Sequence, residues 1–328
     1  MSFTPLNAGR WPATVQTMTR LSEQARRQSW FLAGPTASGK SDVAMILASR
    51  LPGGGEIVAM DSMTLYREMD IGTAKPSTSD RAATPHHLLD VRDPSETCSV
   101  AEYVAMASTA ADDILSRGRT PVFVGGTGLY LRSLLRGLFE GPPADEGVRA
   151  EIESRGTPAE LHDKLSSVDP TAATAIQPND LRRTVRALEV FELTGRPISS
   201  FREQDRPDEI ARNVFWLEPD RPTLHRRIND RADQMMAAGW LEEATALASR
   251  TPPISHTARQ GLGYCELIDV VEGYRELPEA VDRIKARTRQ FAKRQCTWFR
   301  NLPECVAVPV ADGESAENVA ARLLDTTA

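Results

Sequence analysis

The residues most able to do chemistry are those of segment 34–41, where two glycines, a lysine and a serine follow the spacing G-x-x-x-x-G-K-[ST]. The backbone N–H groups of such a loop, with the start of the following helix, form a cradle for phosphate oxygens. The segment therefore predicts a polyphosphate site, although a glycine-rich turn without chemical role is the alternative. In this interpretation the lysine adds a positive charge and the last serine binds Mg²⁺. The predicted residues are Gly34, Pro35, Thr36, Ala37, Ser38, Gly39, Lys40 and Ser41.

An acidic residue, Asp61, follows the apolar segment 56–60. Ligands of open α/β sheets bind at the carboxyl ends of the strands, so Asp61 is expected near the phosphate loop. A phosphate-loop kinase would usually carry a magnesium-binding acid at the end of segment 121–124, which here runs into Gly125-Gly126-Thr127. Asp61 is therefore free to act on a second substrate, or it only forms a turn.

Two arginines, Arg227 and Arg231, lie four residues apart and share a face of a predicted helix. They could clamp an anion above the phosphate loop. Alternatively, they pair with Asp230 or Asp233 on the helix surface.

Other basic residues form local clusters on a chain of net charge −6. Arg182, Arg183 and Arg186 share one helix, and segment 283–300 contains seven lysines or arginines and no acid. Both clusters suit contacts with phosphates of a nucleic acid, or they are solvated helix faces. The pair at 86–87, two histidines, lacks a third metal ligand and is interpreted as structural.

The composition, 41% hydrophobic and 26% charged over 328 residues, is typical of a globular protein with one or two domains. No apolar run approaches a membrane span, and no secretory segment begins the chain, so a cytoplasmic protein is expected. The four cysteines form no C-x-x-C pair, which argues against a zinc site and a disulfide framework.

Apolar segments that alternate with helical patterns predict an α/β fold, in which a phosphate-loop parallel sheet is flanked by helices. Strands are predicted at 30–33, 56–60, 121–124, 213–217 and 306–310. Helices alone are predicted between 141 and 205. Four segments follow from this pattern: an extension outside the fold at 1–28, the first part of the core at 29–140, a helical insert at 141–205, and a return to the core at 206–328.

Several strings, taken in order, resemble the tRNA dimethylallyltransferases, also called tRNA isopentenyltransferases. The phosphate loop alone would be unspecific, whereas the joint order of the other strings is specific and covers nearly the whole chain after residue 28. The matching segments are 34–41, 61–63, 66–76, 85–90, 125–130, 179–180, 186–190, 263–264, 289–295 and 297–300.

The resemblance implies transfer of the dimethylallyl group of dimethylallyl diphosphate to the exocyclic amine of the adenosine 3′ of the anticodon. It implies Asp61 as general base, Ser41 and Arg231 as phosphate ligands, Mg²⁺ as cofactor, and the anticodon stem-loop of tRNA as partner of a monomer. The residues it implies in tRNA contact are Asp61, Ser62, Met63, Thr64, Thr127, Arg149, Arg182, Arg183, Arg186, Gln260, Gly263, Tyr264, Lys293, Arg294, Gln295 and Arg300.

Three departures from the family pattern qualify the resemblance. Thr64 stands where the family usually has Gln or another residue before an aliphatic one, and Cys265 stands where Lys or Arg usually follows Gly-Tyr. The zinc-finger extension of some eukaryotic members is absent, which favours a bacterial type. The nearest alternative is an adenylate isopentenyltransferase, which should not need the insert or the basic segment 283–300. A small-molecule kinase and a non-catalytic RNA-binding protein are the other two.

Overall fold

The structure, a computed structural model, describes residues 20–138, 141–204 and 210–327. Its strands are β1 (Trp30–Ala33), β2 (Gly55–Ala59), β3 (His86–His87), β4 (Thr120–Gly125), β5 (Asn213–Pro219) and β6 (Val306–Val310). Within the described ranges they form one parallel sheet of six strands in the order β3-β2-β4-β1-β5-β6. The predicted fold class is confirmed, and β3 is an edge strand that the sequence pattern did not predict.

The described helices include those predicted from the sequence, together with short ones that were not predicted, namely α1, α3, α8, the 3₁₀ helix, α12 and α13. They are α1 (Glu23–Gln28), α2 (Lys40–Arg50), α3 (Thr78–Ala83), α4 (Val100–Ser116), α5 (Gly128–Arg136), α6 (Glu146–Ser154), α7 (Pro158–Val168), α8 (Pro170–Ala175), α9 (Leu181–Thr194), a 3₁₀ helix (Ile198–Gln204), α10 (Arg221–Ala237), α11 (Trp240–Ala248), α12 (His256–Arg259), α13 (Tyr264–Val271), α14 (Leu277–Arg300) and α15 (Ala316–Thr327). No helix in the described ranges has the length and apolar character needed to span a bilayer.

The core lies on both faces of the sheet, since every residue of β1 and β2 is buried. Successive side chains of a strand point to opposite faces. Trp30 and Leu32 therefore pack with Leu47 of α2, while Phe31 stacks on Phe123 with ring centroids 4.9 Å apart. Burial on both faces is what a parallel sheet covered by helices requires.

A helical unit, which among the described residues comprises 136–138 and 141–204, forms a compact body of its own. Helices α6 to α9 supply its core, in which Leu161, Leu165 and Leu188 are buried. The unit overlaps the predicted insert at 141–205. The predicted boundaries at 140, 205 and 206, and the last residue of the predicted segment 206–328, lie outside the described residues.

The segment 20–28 belongs to the fold, which corrects the prediction of an extension over 1–28. Ser22 caps α1, Leu21 and Ala25 are buried, and the Leu21 N–H donates to the Leu134 carbonyl at 3.2 Å. Six helical residues are too few to give a clear apolar period, so the sequence pattern missed them. Residues 1–19 lie outside the described residues.

Candidate active site

The phosphate loop connects β1 to α2 at the carboxyl edge of the sheet. Ala37 and Gly39 have φ values of 62° and 83°, the left-handed region that reverses the backbone before the helix begins. Gly34 has no space for a side chain, because a Cβ there would lie 2.8 Å from Ser38 Oγ. Backbone folded in this way, ahead of a helix N-terminus, presents N–H groups to an anion.

Lys40, the first residue of α2, is half-buried and donates to the Pro35 carbonyl at 3.2 Å. Removal from solvent and, to a lesser extent, the positive charge of Arg231 lower the pKa of Lys40 to about 8, against the opposing effect of the Asp61 carboxylate. The three charged groups therefore lie close enough to influence one another.

Three hydrogen bonds hold the turn after β2, and two of them involve Asp61. Asp61 Oδ1 accepts the Met63 N–H at 2.8 Å, and its carbonyl accepts the hydroxyl of buried Thr64 at 3.4 Å. The Ser62 N–H donates to Thr127 Oγ1, which follows β4, at 3.2 Å. Within the described part of the chain, the second carboxylate oxygen receives no hydrogen bond. Asp61 thus forms the turn with one carboxylate oxygen, while the other receives no hydrogen bond from a described residue.

Arg231 of α10 is the second cation of the site. Burial lowers the pKa of Arg231, while the negative charges of Asp61 and Asp42 oppose that effect. The alternative partner Asp233 instead pairs with Lys285 at 2.6 Å. Arg231 therefore lies within electrostatic range of Asp61, whereas Asp233 is paired elsewhere.

Oxygen donors for a metal ion are few in the site. Ser41 is exposed at the start of α2, and β4 ends in glycines without an acid. Among the described residues, no cluster of three or more His, Cys, Asp or Glu side chains could hold a metal ion. Any Mg²⁺ here would take most of its ligands from substrate phosphates and water, as Mg²⁺ commonly does.

Comparison with known proteins places the chain in a family. Residues 64–302 match the family model described as IPP transferase. The chain belongs to the IPP transferase family. It is 41% identical over 310 residues to a tRNA dimethylallyltransferase of Pelotomaculum thermopropionicum, covering 93% of this chain and 98% of that one. It is 46% identical over 293 residues to one of Geobacter metallireducens, covering 88% and 94%.

Solved structures of tRNA-modifying relatives are similar to this chain in fold. The full-length tRNA isopentenylpyrophosphate transferase of Bacillus halodurans matches with a TM-score of 0.67 and 38% identity, over 92% of this chain and 96% of that one. A eukaryotic dimethylallyltransferase acting on tRNA matches with a TM-score of 0.73 and 28% identity, over 90% and 76%.

In this IPP transferase fold, Gly263 and Tyr264 are buried, which differs from the predicted RNA contact. A Cβ on Gly263 would lie 2.1 Å from the Trp240 ring, and the Tyr264 hydroxyl donates to Glu243 at 2.7 Å. Glu243 also accepts three backbone N–H groups, from Asp70 and Ile71 at 2.8 Å and from Gly72 at 3.1 Å. The carboxylate thus anchors the loop that follows the Asp61 turn.

Lys75, within the matching string 66–76, is equally structural. Its side chain is 1% exposed, and its ammonium donates to the Tyr66 carbonyl at 2.6 Å, to Asp70 at 2.7 Å and to Asp90 at 2.5 Å. Sequence reasoning missed both Lys75 and Glu243, since a charged residue that anchors a distant loop has no local pattern.

The arginines predicted to contact RNA in the helical unit fall into two groups. Arg149 and Arg186 bind the fully buried carboxylate of Glu189, at 3.1 and 2.5 Å, so they stabilise the unit itself. Arg182 and Arg183 are exposed on α9, and Arg183 lies 3.2 Å from Asp180.

The residues of α14 that were predicted to contact RNA include both exposed and buried side chains. Lys293, Arg294 and Arg300 are exposed, and Arg300 pairs with Glu218 at 2.9 Å. In contrast, Gln295 is buried and hydrogen-bonds within the protein, which differs from the predicted RNA contact. Gln260, which ends α12, is exposed.

A groove of about 920 Å³ lies beside α14 and not at the phosphate loop. Its lining includes Arg289, Lys293 and Arg300 but not Lys40, Asp61 or Arg231. The groove contains acid–cation pairs of its own, such as Glu218 with Arg300, and it is a separate surface from the one that Lys40, Asp61 and Arg231 form.

Cys265, which departs from the family pattern, lies beside an arginine of another helix. The Arg287 guanidinium of α14 donates to Cys265 Sγ at 3.1 Å and to Glu266. Helix α14 therefore places a guanidinium beside Cys265, and that guanidinium is paired with the buried carboxylate of Glu266.

Proposed function

We propose that the chain transfers the dimethylallyl group of dimethylallyl diphosphate to N6 of the adenosine that follows the anticodon of tRNA. The observation that carries this proposal is the grouping of Lys40, Arg231 and Asp61, which lie near enough that the charges of Arg231 and Asp61 shift the pKa of Lys40. Two cations suit a diphosphate leaving group, and a carboxylate suits an amine that must lose a proton. Membership of the IPP transferase family supports the same reaction.

In the proposed step, the N6 lone pair forms a bond to C1 of the dimethylallyl group while the bond from C1 to the diphosphate oxygen breaks. The diphosphate leaves with the electron pair, and Lys40, Arg231 and the loop N–H groups stabilise its charge. The amine proton passes to the oxygen of Asp61 that the Met63 N–H does not occupy.

Mg²⁺ is the cofactor of this proposal, held by the Ser41 hydroxyl together with diphosphate and water oxygens. When bound, it neutralises charge on the leaving group. The exposed hydroxyl at the start of α2 is compatible with that role.

The acceptor adenosine is proposed to leave its stack and enter the site, since base-modifying enzymes commonly extrude their target. Exposed cations on α9 and on α14 each suit RNA phosphates, which position a substrate without reading its sequence. These cations are Arg182, Arg183, Lys293, Arg294 and Arg300. We propose a monomer that acts in the cytoplasm, where tRNA is available.

The test is incubation with dimethylallyl diphosphate, Mg²⁺ and unmodified tRNA, followed by mass spectrometry of the nucleosides. Isopentenyladenosine should form without ATP. Prenylation of free adenylate in preference to tRNA would favour the adenylate isopentenyltransferase. An absolute ATP requirement with phosphate release would favour the kinase.

A further inference from the structure

The side chain of Gln295 joins two parts of the active site that are distant in sequence. Its Oε1 accepts the Thr36 N–H of the phosphate loop at 2.9 Å, and its Nε2 donates to the Gly126 carbonyl after β4 at 2.8 Å. Gln295 is 5% exposed although it lies among the exposed cations of α14. Both hydrogen-bonding groups of the amide are therefore engaged inside the protein.

The contact with Gly126 leaves no free space. A Cβ on Gly126 would lie 2.2 Å from Gln295 Nε2, so the amide rests directly on the glycine. Only a side chain with one donor and one acceptor at its end can make both bonds.

Thr36 and Gly126, the two residues that Gln295 binds, are each next in sequence to a residue that contacts either a proposed catalytic residue or its turn. Thr36 follows Pro35, whose carbonyl accepts the Lys40 ammonium. Gly126 precedes Thr127, whose hydroxyl accepts an N–H of the Asp61 turn. Gln295 thus connects the element that holds the leaving group with the element that holds the base.

We propose that Gln295 is a positioning residue, which keeps the phosphate loop and the Asp61 turn in register and does not read RNA. This inference rests on the proposed function. Misplacement of reacting groups by about 1 Å can cost roughly a hundredfold in rate. Loss of Gln295 should therefore impair turnover and donor use and leave RNA affinity intact.

The test compares Gln295→Met, which keeps length but removes both bonds, with Gln290→Met. Gln290 is an exposed glutamine on the same helix and provides a matched control. We expect Gln295→Met to lower kcat/KM for the donor about 10- to 100-fold. Its Kd for an anticodon stem-loop, and the salt dependence of that Kd, should match those of wild type and of Gln290→Met.

A second variant, Gln295→Glu, supplies a signature that a packing role would not give. A protonated carboxyl has a donor and an acceptor, whereas a carboxylate has only acceptors. The ratio of Gln295→Glu activity to wild-type activity should therefore rise as pH falls from 8 to 5. If Gln295→Met does not fold, this activity ratio still tests the proposal. A ratio that does not change with pH overturns the proposal.

Two further outcomes would overturn the inference: weaker RNA binding in Gln295→Met with unchanged donor kinetics, or behaviour identical to Gln290→Met. If wild type transfers no prenyl group, the proposed function itself has failed. The loop contact remains testable, because Gln295→Met should still reduce the rise in Tm that inorganic diphosphate gives to wild type.

Discussion

The depressed pKa of Lys40 makes donor capture sensitive to pH. Burial and the charge of Arg231 lower this pKa to about 8 in the free site, so Lys40 is about 90% charged at pH 7, about 50% at pH 8 and about 10% at pH 9. If only the ammonium binds diphosphate, kcat/KM for the donor should be level below pH 8 and fall about tenfold per pH unit above it.

The parameter kcat should behave differently. Bound diphosphate places negative charge beside Lys40, which favours the charged ammonium and raises its pKa in the complex. Because kcat reports groups of the complex, it should stay nearly constant between pH 7 and 9. The structure therefore predicts a break near pH 8 in the pH profile of kcat/KM for the donor and no break in that of kcat.

The assay is initial-rate prenylation of an anticodon stem-loop at saturating RNA, with donor varied from pH 6 to pH 10. Arg231→Gln should move the break to higher pH, since Arg231 is the like charge that depresses the Lys40 pKa. Lys40→Arg should abolish the break, because a guanidinium stays charged throughout. A profile that is level to pH 10 in wild type, or a break that survives in Lys40→Arg, would refute this reasoning.

Three other perturbations test separate parts of the structure. Asp61→Asn keeps size but loses basicity, so turnover should fall about 10²–10⁴-fold with RNA affinity nearly unchanged; near-normal turnover would reduce Asp61 to a turn former. Arg183→Ala should reduce the slope of log K against log salt for RNA binding by about one, while Arg226→Ala, an exposed control paired with Asp312, should not. Glu56 is 2% exposed, and hydrogen bonds from Arg117 and, to a lesser extent, His87 lower its pKa from 4.5 to about 2 against the effect of burial. The contribution of Glu56 to stability is therefore complete above pH 4.5 and is lost as pH falls towards 2. Glu56→Gln should accordingly lower the free energy of unfolding at pH 7 by about 2 kcal/mol, with the difference shrinking at pH 3 in urea titrations.

Local patterns account for what the sequence could predict. The phosphate loop, the capped helix α4 and the buried strands each depend on residues within a few positions of one another. The placement of Asp61 also follows locally, because carboxyl ends of parallel strands meet at one edge. These features were accessible from residue type and spacing alone.

What could not be predicted depends on partners distant in sequence or on burial. The pairing of Lys75 with Asp90 and the anchoring of Gly72 by Glu243 leave no periodic trace. The role of Arg186 was also missed, although its partner Glu189 lies only three residues away in sequence. Charge counting cannot tell that this carboxylate is fully buried, and burial decides that the arginine is structural.

The bridge from Gln295 to Thr36 spans 259 positions of the chain, and this has a consequence for biosynthesis. A ribosome completes the phosphate-loop motif early, but the side chain that braces Thr36 is added 259 residues later. A nascent chain that ends before α14 will therefore carry the diagnostic motif without the brace. Premature termination ahead of codon 295 should produce a protein that retains the motif and lacks the side chain that braces it.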